Sequence, residues 1–67
     1  MTLEFAQEIV NILNAKNGPT LTLLEAMAMT RIFSDGYEVY GIQKGDVTFL
    51  VRVTGGGYIV EIKTIAW

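Results

Sequence analysis

Residues 37–65 read YEVYGIQKGDVTFLVRVTGGGYIVEIKTI, and the spacing of apolar residues in this stretch decides the fold. Apolar and polar positions alternate, which is the period of a pleated strand with one dry face and one wet face. Runs rich in β-branched and aromatic residues at 37–42, 47–54 and 58–65 are separated by Gln43-Lys44-Gly45 and Gly55-Gly56, whose glycines suit tight hairpin turns. A three-residue first loop pairs Val39 with Phe49 and Tyr37 with Val51, and a two-residue second loop pairs Val51 with Val60 and Phe49 with Ile62. The two registers agree. Both put Tyr37, Val39, Val47, Phe49, Val51, Val53, Tyr58, Val60 and Ile62 on one face, and a slip of one residue would turn that set to water.

Upstream of this stretch the period lengthens to that of a helix. Thr2 is a suitable N-cap for a helix over 3–16, in which Leu3, Ala6, Ile9, Val10 and Leu13 form an apolar stripe widened by Phe5 and Ile12. Asn17-Gly18-Pro19 stops it, because the first two residues tolerate positive φ and proline cannot continue the hydrogen-bond ladder. A second helix is expected over 23–33, opened by a capping box between Thr22 and Glu25, carrying Leu24, Met27, Ala28, Arg31 and Ile32 at spacings of three and four, and closed by the turn residues Ser34-Asp35-Gly36. The expected fold class is α+β: two N-terminal helices packed on one face of a three-stranded antiparallel β-meander (ααβββ), as a single small domain over 1–67.

Composition narrows the function. A chain of 67 residues builds one modest core, and ordering it costs on the order of 100 kcal/mol at ~1.5 kcal/mol per residue, so stability is narrow and help from association is favoured. Cysteine and histidine are both absent, which removes disulfides and disfavours zinc or haem. The residues are 51% hydrophobic and 18% charged, the balance of a folded chain with more apolar surface than so small a core can hide. Lys16, Arg31, Lys44, Arg52 and Lys63 are scattered singly in a chain of net charge −2, which disfavours nucleic acid as a partner. No apolar run approaches the length of a membrane span, and Met1-Thr2-Leu3-Glu4-Phe5 lacks a basic leader followed by an apolar stretch, so no membrane partner and a cytoplasmic address are expected.

The same absences bear on chemistry. Without histidine or cysteine, Ser-His-Asp and Cys-His nucleophile systems cannot be built, and acid-base work at neutral pH loses its usual carrier. Glu4 and Glu8 share a helix face but read as compensation of the helix dipole, and Gly55-Gly56-Gly57 lies between two strand runs with no helix start to complete a phosphate cradle. No enzymatic activity, cofactor or metal is expected.

The expected registers leave the other sheet face to Glu38, Tyr40, Ile42, Thr48, Leu50, Arg52, Ile59, Glu61, Lys63, Ile65 and Trp67. Among these, Tyr40, Ile42, Leu50, Arg52, Ile59, Ile65 and Trp67 form the candidate interface, since clustered exposed aromatic and aliphatic side chains are the usual anchors of protein contacts. The two edge strands of the meander offer a second route, by strand addition. The expected function is a non-enzymatic protein-protein interaction or assembly module that self-associates as a homodimer or acts as a small accessory or inhibitor protein. The alternatives are a single-stranded nucleic-acid binder using the sheet face and a small ligand-binding protein.

Overall fold

The computed structural model describes residues 1–34 and 37–67, with side chains for all of these except Phe33 and Ser34. The chain is α+β, in the order α1 (Leu3–Ala15), α2 (Leu23–Met27), β1 (Thr30–Ser34), β2 (Tyr37–Lys44), β3 (Val47–Val53) and β4 (Ile59–Ala66). The strands form one antiparallel sheet in the order β1-β2-β3-β4. The class matches the expectation, and the sheet has four strands where three were expected.

Local chemistry sets α1. The Thr2 hydroxyl accepts a hydrogen bond from the Phe5 amide at 3.2 Å, and Asn17 at φ 54 with Pro19 behind it prevents continuation. Its buried side is Ala6, Ile9, Val10 and Leu13, whereas Leu3, expected on that stripe, is 56% exposed. The helix crosses one face of the sheet: Phe5 near its start meets Tyr40 on β2, and Lys16 at its end donates to the Ile62 carbonyl of β4 at 3.3 Å.

The capping box of α2 is present as read, with Glu25 Oε1 accepting from the Thr22 amide at 2.8 Å and Thr22 Oγ1 accepting from the Glu25 amide at 3.2 Å. The helix nevertheless ends at Met27, and the expectation of helix through 33 is wrong. Thr30–Ser34 is instead a strand that pairs along β2, setting Ile32 opposite Val39 and Thr30 opposite Gly41. Backbone pairing with the β2 edge, with Ile32 against Val39, outweighs the helical preference of 26–29, and Met29 is buried while Leu24, expected on the inner stripe, is 81% exposed. The turn expected at Asp35-Gly36 lies outside the described residues.

The registers also differ from expectation. β2 runs on to Lys44, opposite Val47, so the loop to β3 is Gly45-Asp46, with Gly45 at φ 60 in the first central position as a type II′ turn requires. Val39 consequently faces Arg52 in place of Phe49, Tyr40 faces Val51 and Ile42 faces Phe49. An odd displacement turns a strand over, so Tyr37 and Val39 leave the helix side while Tyr40 and Ile42 enter it. Between β3 and β4 the displacement is even: Val51 faces Ile62 and Phe49 faces Thr64, which keeps Ile62 in the core. A β-bulge then intervenes, with Arg52 opposite Glu61 but Val53 opposite Ile59, so Val60 is the extra residue. Ile59 therefore packs against the core, and Tyr58 and Val60, both expected inside, are exposed.

Candidate interaction surface

The helices cover one face of the sheet, and the pairing of strands fixes what stands on the other. Ile32 on β1, Tyr37, Val39 and Gly41 on β2, Thr48, Leu50 and Arg52 on β3, and Glu61, Lys63 and Ile65 on β4 share this outer face. Of the side chains expected to make contacts, Leu50, Arg52, Ile65 and Trp67 are together here. Tyr40, Ile42 and Ile59 are not: they pack against the core from the helix side, for the register and bulge reasons given above. The residues that sequence reasoning missed are Ile32, Tyr37, Val39 and Gly41. The pattern Thr30-Arg31-Ile32-Phe33 ahead of Asp35-Gly36 is a hairpin signal that identifies the first of them.

Gly41 organises the centre of the face. A Cβ built there would lie 3.0 Å from Ile32 Cδ1 and 3.1 Å from Leu50 Cδ2, so these two side chains close over the missing methyl and join β1 to β3 across the glycine. Val39 and Leu50 border a depression of about 150 Å³ shared with Arg52, Glu61 and Lys63. The Arg52 guanidinium sits 4.5 Å from the centroid of the Tyr37 ring and 3.7 Å from Glu61 Oε1, so its charge is partnered on both sides.

Trp67 stands at the end of this face and is 80% exposed, yet it is held at two points. Its amide donates to the Asp46 carbonyl at 2.9 Å, and its indole Nε1 donates to Thr48 Oγ1 at 2.7 Å. The Thr48 hydroxyl in turn donates to Gln43 Oε1, and the Gln43 amide donates to the Gly45 carbonyl at 2.8 Å. The result is an aromatic ring fixed in orientation with most of its area in water.

The sheet edges are less open than the face. Backbone groups of β4 alternate in direction, and because the Trp67 amide points to β3, those of Ile62, Thr64 and Ala66 point outward. Lys16 occupies the Ile62 carbonyl on this edge. The opposite edge, β1, is five residues long. A charged side chain laid on an edge and a short edge strand both discourage strand addition.

No helix among the described residues is long and apolar enough to cross a membrane. No protein-family model, no curated protein and no solved structure matches this chain.

Proposed function

We propose that the protein is a non-enzymatic assembly module that self-associates by stacking the outer face of its sheet on that of a second copy. The observation that carries this reading is the pinned, water-exposed indole of Trp67. Burying a large aromatic contributes most when its orientation is already fixed, because little side-chain entropy is then lost on association.

Three further features support a second copy as the occupant. The face carries an apolar band, Ile32, Val39, Leu50 and Ile65, with Tyr37 and Trp67 at its margins. Its charges are self-complementary, since Glu61 and Lys63 are successive outward residues of β4 and a two-fold axis across the strands sets the Lys63 of each copy over the Glu61 of the other. Size agrees as well. A standard interface takes about 800 Å² from each partner, roughly a fifth of the 4437 Å² that this chain exposes. That is the scale of a whole sheet face and more than one strand edge supplies. Nucleic acid is a poorer fit, because Arg52 is committed to Tyr37 and Glu61 and only Lys63 is left unpaired on this face among the described residues.

Sedimentation equilibrium from micromolar to millimolar concentration tests the proposal. Mass should rise from that of the 7.4 kDa chain to twice that value, and Trp67→Ala should hold the protein near the lower one. A monomer throughout the range, or a Trp67→Ala variant that associates as tightly as the parent, refutes it.

A further inference from the structure

The helix layer carries a second surface, unrelated to the outer sheet face. A groove of about 420 Å³ runs between the helices, lined by Leu3, Glu4, Gln7, Glu8, Asn11 and Leu23. Its apolar lining is Leu3 and Leu23, and Met27, one turn beyond Leu23 on α2, is exposed as well. Along its other side Glu4 and Glu8 stand one turn apart, and the Gln7 amide donates to Asn11 at 2.9 Å.

Glu4 and Glu8 are, with Asp46, the side-chain carboxylates that lack an ion pair among the described residues, and they are the two that stand side by side. Glu25, Glu38 and Glu61 are each ion-paired, to Lys44, Arg31 and Arg52. Among the described residues neither Glu4 nor Glu8 has a cation within ion-pair distance, and no basic residue lines the groove. Glu4 lies in the first turn of α1, where the helix dipole favours it. Glu8 lies a turn further on, where that effect has faded, and like charges at this spacing repel each other. Apolar walls beside unneutralised carboxylates complement a surface of the opposite design.

We infer that this groove docks a basic amphipathic helix from a protein partner, whose leucine-like side chains enter between Leu3 and Leu23 while its lysines or arginines meet Glu4 and Glu8. Helices lying in grooves bind through apolar anchors at spacings of three and four, with flanking charge setting orientation and partner choice. The same carboxylates repel an anionic lipid surface.

The test uses a fluorescein-labelled leucine-lysine amphipathic peptide of about 14 residues, about four helical turns, with a leucine-glutamate peptide of identical apolar pattern as its counterpart. Fluorescence anisotropy should show binding of the lysine peptide that weakens with salt. Combined Glu4→Gln and Glu8→Gln should weaken it about fivefold, as two exposed ion pairs of ~0.5 kcal/mol each imply. Asp46→Asn, which removes one negative charge away from the groove, on the β2–β3 turn, should leave affinity unchanged, as should Trp67→Ala, so failure here is separable from failure of self-association. Amide shifts on titration should centre on 3–11 and 23–27. Equal binding of the glutamate peptide, no effect of the paired substitutions, shifts centred on the sheet, or no binding at all overturns the inference.

Discussion

The ring of Phe5 on α1 meets the ring of Tyr40 on β2 edge to face, with centroids 5.8 Å apart and an interplanar angle of 62°. This contact ties the start of the helix to the side of β2 that the register makes internal. It also aims the Tyr40 hydroxyl at Glu38, 3.3 Å away, whose other carboxylate oxygen accepts from Arg31 at 2.9 Å. The ring pair and the Glu38–Arg31 ion pair beside it thus link α1, β2 and β1.

Aromatic pairs of this geometry contribute about 0.5–1.5 kcal/mol beyond the area they bury. A double-mutant cycle with Phe5→Leu and Tyr40→Leu, read by urea unfolding, should return a coupling energy in that range. Simple additivity of the two substitutions would place Tyr40 elsewhere.

Gly41 lies where Ile32 and Leu50 close over the sheet, so a larger residue there must displace both. Gly41→Val should destabilise the protein by about 1–3 kcal/mol, the usual cost of overpacking, despite the better strand propensity of valine. Urea unfolding of the variant checks this, and a neutral or stabilising result contradicts the packing described.

Glu25 supplies a pH dependence. The Thr22 amide, first, and the Lys44 ammonium, second, hold its carboxyl below its ordinary value of 4.5. A carboxylate favoured in the folded state contributes stability above its unfolded pKa and loses it as pH falls through the folded one. Stability should therefore decline as pH drops below 4.5. Glu25→Gln keeps the shape of the cap without the charge, and its deficit against the parent, measured by urea unfolding near neutral pH, should shrink toward zero in acid. A deficit that grows in acid contradicts the assignment.

Much of this architecture is legible in local signals, and the parts that are not depend on distant partners. Thr2, the three-and-four spacing of Ala6, Ile9, Val10 and Leu13, and Asn17-Gly18-Pro19 define α1 from neighbouring residues alone, as Thr22 and Glu25 define the start of α2. No helix-stop residue ends α2, because Ala26, Met27, Ala28 and Met29 all suit a helix; the end comes from pairing of Thr30–Ser34 with β2, for which the strand-like Thr30-Arg31-Ile32-Phe33 ahead of Asp35-Gly36 is the local signal. Leu50, Arg52, Ile65 and Trp67 are on the face read for them, since the β4 register moves by an even number and the parity of β3 is unaffected. Tyr40 and Ile42 change sides through the choice of Gly45-Asp46 over a longer loop, and Ile59 through a bulge that no residue type announces.

The Thr48 hydroxyl fixes the indole of Trp67, so its removal should loosen the anchor without unfolding the domain. Each freed side chain costs about 0.5–1.5 kcal/mol to immobilise again on association, and two copies pay it. Thr48→Val should raise the dimer dissociation constant about tenfold in sedimentation equilibrium, with the urea midpoint of the monomer little changed. An unaltered dissociation constant means that the hydrogen bond plays no part in assembly.

Trp67 is the only tryptophan of the chain, so its fluorescence reports on the proposed interface without a label. On raising the concentration from micromolar to millimolar, self-association through the outer sheet face predicts that the emission maximum moves to shorter wavelength and that iodide quenches less, in step with the rise in mass. An emission maximum that stays at the position of a fully hydrated indole while the mass rises places the contact elsewhere, and one that stays there with no rise in mass contradicts self-association itself.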